Sequence, residues 1–112
     1  MIITKEFRFE AAHRLPLYKG NCSKLHGHSY RLEVAVSGKL KKGMVLDFRE
    51  LDLIVKEKVI SILDHSYLND TIENPTAENI VKWIWTKLKP SLNLHLLRLW
   101  ETDKSSVIYN GK

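Results

Sequence analysis

The sequence predicts an α+β fold in which an antiparallel four-stranded sheet carries two helices on one face. Three observations indicate this fold. Two hydrophobic patterns of two-residue period lie near each end of the chain, two amphipathic segments of helical period lie between them, and neither a repeat nor a linker divides the 112 residues. Two hairpins that flank a helical pair give the order ββααββ. We therefore expect a single domain over residues 1–112.

The strand patterns cover residues 4–13 and 28–38 in the first half of the chain, and 94–101 and 106–109 in the second. Side chains alternate along a strand, so each of the first two patterns places its apolar residues on one face. The two faces consist of Phe7, Phe9, Ala11 and His13 in the first strand, and of Tyr30, Leu32, Val34 and Val36 in the second. Four strands leave two open edges, which must be covered, charged or paired with another chain, so an oligomer is expected.

Both helices have recognisable starts. Asp47 can accept a hydrogen bond from a free amide in the first turn, which predicts a helix from there to about Leu63. Thr76 is a suitable N-cap for the second helix, which ends near Leu88 because Pro90 follows. The predicted buried stripes consist of Leu51, Val55, Val59 and Ile62 in the first helix, and of Ile80, Ile84 and Leu88 in the second.

The composition, 44% hydrophobic and 28% charged, is ordinary for a globular protein. No apolar run approaches the roughly 20 residues that span a bilayer, so no membrane partner is expected. A net charge of +5 suits an anionic small molecule, and the scattered basic residues form no nucleic-acid recognition motif. The first residues lack the layout of an export signal, so a cytoplasmic protein is expected. The lone cysteine, Cys22, cannot form an internal disulfide.

The sequence His-Gly-His at residues 26–28 is the sharpest signal of a binding site. Histidines at i and i+2 of an extended segment point the same way, so their imidazoles can converge on one metal ion. His13 projects from a strand face and could be the third ligand, but the spacing leaves His65 and His95 open as alternatives. Three histidines leave the fourth position of zinc free, as in catalytic sites. The alternative interpretation is a histidine pair in a loop that binds no metal.

Three further positions could carry chemistry. Cys22 lies four residues before His26, where a thiol could be a base, a fourth metal ligand or a buried spacer. At the end of the first helix, Asp64 could fix the tautomer of His65 and make it a proton shuttle. Glu101 closes a leucine-rich strand and needs a partner, either a basic side chain or a ligand with adjacent N–H donors.

Taken in order, six segments resemble the 6-pyruvoyltetrahydropterin synthase family, and within it the bacterial and archaeal 6-carboxytetrahydropterin synthases. The segments span residues 9–15, 22–30, 43–48, 63–69, 74–79 and 101–102, which together extend over nearly the whole chain. The short spacing between Cys22 and His26 resembles the 6-carboxytetrahydropterin branch, whereas members that act as side-chain aldolases usually carry glutamate in place of the cysteine. Trp100 departs from the lysine found in some relatives.

The resemblance implies a role for each candidate residue. The zinc ligands would be His13, His26 and His28. The general base and the proton-relay pair would be Cys22, Asp64 and His65. The pterin ring would be bound through its amino group and ring N–H by Glu101, with Thr76 nearby.

The resemblance also implies the fold and the reaction. The fold would be the tunnelling fold (T-fold), in which subunits join their sheets into an oligomeric barrel, commonly a hexamer with active sites between subunits. The reaction would convert 7,8-dihydroneopterin triphosphate to 6-carboxy-5,6,7,8-tetrahydropterin with release of acetaldehyde and triphosphate, on the 7-deazapurine route towards queuosine. Two alternatives remain, namely triphosphate elimination without carbon–carbon cleavage, as in a 6-pyruvoyltetrahydropterin synthase, and a non-catalytic zinc-binding oligomer.

Overall fold

A computed structural model describes residues 1–20 and 23–112. Its strands are β1 (Ile2–His13), β2 (His26–Ser37), β3 (Ser66–Tyr67), β4 (Leu94–Thr102) and β5 (Ser105–Tyr109). They form one sheet in the order β3-β1-β2-β4-β5, in which the four long strands pair antiparallel. The α+β class and the order of the four predicted strands are therefore confirmed.

Two helical segments connect the hairpins. Helix α1 spans residues 48–63 and consists of an α-helix (Phe48–Val55), a π-helical turn (Lys56–Ile60) and a last α-helical turn (Ser61–Leu63). Helix α2 spans Ala77–Leu88. Both predicted N-caps are confirmed, because the Asp47 carboxylate accepts from the amide of Arg49 and the Thr76 hydroxyl accepts from that of Asn79.

The predicted stripe of α1 is wrong at its last position. Ile62 is 40% exposed, and Leu63 is fully buried in its place. The π-helical turn explains the difference, since it adds a residue to one turn and so rotates the residues that follow it. The inward-facing positions are therefore Leu51, Val55, Val59 and Leu63.

The predicted strand count is also too low by one. Ser66 and Tyr67 pair in parallel with Ala11 and Ala12 and so form β3 within the expected loop. A strand of two residues is too short to show an alternating pattern. Tertiary pairing with β1 defines it instead, and it covers only the last part of that strand.

The core lies between the helices and one face of the sheet. The face that α1 and α2 cover carries the apolar residues predicted for β1 and β2, and Ile80, Ile84 and Leu88 of α2 pack into the same cluster. At one end of this face the apolar side chains give way to histidines, which places the candidate site at the rim of the core. No helix in the described residues is long and apolar enough to cross a membrane.

Candidate metal centre and adjoining cavity

Three histidines meet where β1 ends and β2 begins. The pairing of β1 with β2 sets His13 opposite His26 and Ala11 opposite His28, so the three imidazoles share the helix-covered face. One ring nitrogen from each lies within 4.8 Å of the others, and the Nε2 atoms of His13 and His26 are 2.9 Å apart. The structure thus brings His13 to the pair, rather than His65 or His95.

Backbone carbonyls fix the tautomers of two of these histidines. Nδ1 of His13 lies 2.8 Å from the carbonyl oxygen of Pro75, and Nδ1 of His26 lies 2.8 Å from that of Lys24. A carbonyl oxygen can only accept, so each Nδ1 carries the proton and each Nε2 presents a lone pair. Two lone pairs that face each other at 2.9 Å repel, and a bound cation would relieve this repulsion. Metal-binding histidines in proteins are oriented in the same way.

His28 supplies the third free nitrogen. Its Nε2 atom is buried and has no hydrogen-bond partner among the described residues, and the nearest carboxylate oxygen, Oε1 of Glu101, is 3.8 Å away. Burial lowers the pKa of His28, and the neighbouring imidazoles of His13 and His26 lower it further, against the opposing effect of Glu101. The ring is therefore neutral near pH 7. Three converging ring nitrogens could hold a metal ion, and nitrogens on one tetrahedral zinc lie about 3.3 Å apart.

Tyr30 supports the cluster from the core side. Its ring stacks on Phe9 with centroids 4.9 Å apart, and its hydroxyl lies 3.3 Å from Nδ1 of His13. Burial, with a smaller effect of Glu101, raises the pKa of Tyr30, so the phenol stays protonated. Tyr30 is not among the predicted site residues, although its position two residues after His28 places it on the same strand face.

A cavity of ≈ 390 Å³ adjoins the cluster. Glu101 and Thr76 line it together with Leu15 and Tyr18, so the structure brings the two predicted substrate-binding residues into one cavity. Glu101 also faces His28, which joins this cavity to the histidine cluster. The resulting arrangement offers a ligand a carboxylate, a hydroxyl and apolar walls beside three free ring nitrogens.

Asp64 and His65 form a separate group at the edge of β1. The carboxylate of Asp64 accepts from the amide of Glu10 at 2.9 Å and lies 3.0 Å from Nδ1 of His65, while the amide of His65 donates to the carbonyl of Glu10. The bond from Glu10 is the main cause that lowers the pKa of Asp64, with a further effect of His65. His65 adopts a left-handed backbone with φ of 58° and is 80% exposed.

A second cavity lies at this edge of the sheet. Its volume is ≈ 490 Å³, and His65 lines it together with Glu10, Ala12 and Ser29, and also with Ala11 and His28. The side chains of Glu10, Ala12 and Ser29 lie on the face without helices, because they alternate with the inward-facing strand residues. The group of possible metal ligands in the described residues contains His13, His26 and His28 but not His65. Within one chain, the predicted relay pair therefore lies outside the histidine cluster.

The family model of 6-pyruvoyl tetrahydropterin synthase matches residues 2–112. The chain belongs to this family. It is 46% identical to the 6-carboxy-5,6,7,8-tetrahydropterin synthase of Synechocystis sp., over 96% of this chain and 92% of the relative. It is 41% identical to the dihydroneopterin monophosphate aldolase of Pyrococcus furiosus, over 88% of each chain. The chain is therefore an enzyme of the 6-pyruvoyl tetrahydropterin synthase family.

A solved family structure confirms the T-fold. The 6-pyruvoyl tetrahydropterin synthase of Caenorhabditis elegans superposes with a TM-score of 0.90 at 27% identity, covering 100% of this chain and 96% of that one. Family membership and fold agree with the resemblance carried by the six sequence segments.

Cys22, the predicted general base, lies outside the described residues. The segment on its C-terminal side contacts the residue that follows β1, because Nε of Arg14 donates to the carbonyl of Ser23 at 2.8 Å. Its role stays a prediction from the sequence.

Proposed function

We propose that this chain is a zinc-dependent 6-carboxytetrahydropterin synthase, which converts 7,8-dihydroneopterin triphosphate to 6-carboxy-5,6,7,8-tetrahydropterin and releases acetaldehyde and triphosphate. The observation that carries the proposal is the cluster of three free ring nitrogens beside a cavity that contains Glu101. The relative of that name in Synechocystis sp. supports the reaction.

The zinc would be held by Nε2 of His13, His26 and His28. When bound there, zinc would make the O–H groups of the substrate side chain and the adjacent C–H groups more acidic. Backbone carbonyls orient the rings of His13 and His26, and burial lowers the pKa of His28. The described protein ligands number three, which leaves a position open for substrate.

Glu101 would bind the pterin ring. A carboxylate can accept from the ring N–H and the amino group of a pterin at once, in the manner of bidentate pairing. Thr76 caps α2 by accepting from Asn79, which leaves its own O–H free to donate into the cavity. A ring bound here would lie near the histidine cluster, because Glu101 lines the cavity and is 3.8 Å from His28.

Proton transfer would use Cys22 as the base, with Asp64 and His65 as the relay pair. His65 is not part of the histidine cluster of its own chain. We propose that His65 acts in the site of a neighbouring chain, where Asp64 holds its ring at 3.0 Å. This arrangement requires an oligomer, a hexamer by the family resemblance, in which sheets would join into a barrel.

The second candidate is the 6-pyruvoyl tetrahydropterin synthase activity after which the matching family is named. That reaction eliminates triphosphate but leaves the carbon chain whole. The aldolase named for the Pyrococcus furiosus relative is disfavoured by Cys22, since aldolases of this family usually carry glutamate there.

Product analysis tests the proposal. The zinc-loaded protein is incubated with 7,8-dihydroneopterin triphosphate, and the products are identified by mass. The proposal predicts equal amounts of acetaldehyde and 6-carboxytetrahydropterin. A product that retains all side-chain carbons would support the pyruvoyl synthase instead, and no turnover by the zinc-loaded oligomer would contradict both.

A further inference from the structure

Glu101 occupies an irregular position in the sheet. In the pairing of β4 with β5, Trp100 lies opposite Ser106 and Thr102 lies opposite Ser105, so two steps along β4 match one along β5. Glu101 is the extra residue of a β-bulge. Bulges bend a strand and re-aim its side chains, and they occur often next to active sites. The direction of the Glu101 carboxylate therefore depends on how firmly the residue before it is held.

Trp100 is held between two cations on the face without helices. Its ring lies 3.7 Å from the guanidinium carbon of Arg31 and 4.4 Å from that of Arg98, and only 9% of the residue is exposed. Both distances are short enough for cation–π attraction. The tryptophan on this face is thus packed between arginines rather than against helices.

Each arginine is tied down in turn. Arg31 lies 3.4 Å from a carboxylate oxygen of Glu6 on β1, and Nε of Arg98 donates at 3.2 Å to the hydroxyl of Ser106 on β5. The cross-strand partners of Trp100 are Arg31 and Ser106, and it forms the last regular rung before the bulge. The stack therefore links four strands at the point where regular pairing stops.

We propose that Trp100 is a positioning residue, which acts through the bulge to fix the direction of the Glu101 carboxylate for binding the pterin ring. The inference rests on the proposed role of Glu101. A bidentate contact needs a fixed carboxylate plane, and a misplacement of about 1 Å can cost roughly a hundredfold in reactivity or affinity. Loss of Trp100 should weaken binding of the pterin ring, because Glu101 is proposed to contact the ring and not the reacting side chain of the substrate.

The test compares W100L with W100F, measuring neopterin binding by fluorescence and the KM and kcat of the zinc-loaded enzyme. W100L should weaken neopterin binding and raise KM about tenfold to a hundredfold, with a much smaller change in kcat and unchanged zinc content. W100F retains an aromatic ring for the arginines and should restore most of the affinity. The control W83L removes a tryptophan that pairs with Lys87 at 5.3 Å and should leave both values unchanged.

A double-variant cycle separates positioning from a structural role. If Trp100 acts through Glu101, W100L/E101Q should bind neopterin no more weakly than E101Q alone. Losses of neopterin affinity that multiply in the double variant would overturn the inference, as would a W100L protein with wild-type affinity and KM.

A second variant serves if W100L fails to fold. R31Q/R98Q retains the tryptophan and removes both cations, and it should show the same rise in KM. An unchanged KM would count against the inference. A wild-type protein that binds no neopterin would overturn the proposed function as well, whereas wild-type binding with an unaffected W100L would overturn this inference alone.

Discussion

The histidine cluster depends on which ring nitrogen carries a proton. Pro75 and Lys24 accept from Nδ1 of His13 and His26, which leaves the two Nε2 atoms free. The sequence predicts through the two-residue strand period that His26 and His28 point the same way, but its spacing leaves the third ligand open. It does not predict the carbonyl partners, since Pro75 lies 62 residues from His13 and reaches it only through tertiary folding.

Cys22 carries a prediction at the same scale. If the thiol is the base, Cys22→Ala should retain zinc and substrate binding but turn over about 10²–10⁴-fold more slowly, the usual contribution of a general base. Zinc content and single-turnover rates measure the two effects. The thiol of the wild type should also react with an alkylating agent near neutral pH, and substrate should protect it. Loss of zinc from Cys22→Ala would identify the thiol as a ligand instead.

Single elements show where local patterns are insufficient. The buried stripe of α1 follows the helical period until the π-helical turn, after which Leu63 replaces Ile62 in the core. Likewise β3 exists because Asp64 and His65 bond to the backbone of Glu10 and bring Ser66 beside β1. Both departures arise from contacts between elements, which a single-sequence pattern does not contain.

The bond between Asp64 and Glu10 predicts how stability depends on pH. Because the folded state lowers the pKa of Asp64 below its ordinary 3.8, the ionised carboxylate stabilises the fold above that value. This stabilisation is lost as the pH falls through the lowered pKa. The free energy of unfolding of the wild type should therefore exceed that of Asp64→Asn at pH 7, and the gap should shrink below pH 3.8.

Urea unfolding of both proteins across this range measures the gap. Asp103→Asn, at an exposed position, is the control and should show a far smaller gap at pH 7. A gap between wild type and Asp64→Asn that stays constant with pH would show that the carboxylate charge does not stabilise β3.

At the scale of the whole molecule, the sheet has edges that one chain leaves open. β3 covers β1 only at Ala11 and Ala12, and β5 forms the opposite edge. The four strands predicted from the sequence already imply two open edges. The solved family structure confirms the T-fold. The separation of His65 from the histidine cluster of its own chain emerges only from the three-dimensional structure, because β3 is absent from the sequence pattern.

Mixed oligomers test the proposed assembly. Cys22→Ala and His65→Ala should each be inactive, and random mixing in equal amounts should restore about a quarter of the wild-type sites if the two residues come from different chains. Asp64→Ala mixed with His65→Ala is the matched control, since both changes affect the same donated pair and no site becomes complete. Light scattering should show an oligomer, and a monomer, or no recovery in the first mixture, would contradict the shared site.

The central claim is that three imidazoles form one open metal site. Its most direct test is the zinc content of purified wild type, His26→Ala, His28→Ala and the control His95→Ala, with circular dichroism as the check on folding. The wild type and His95→Ala should hold about one zinc per chain, while folded His26→Ala and His28→Ala should hold almost none and show no turnover. Full zinc in both His26→Ala and His28→Ala would contradict the claim.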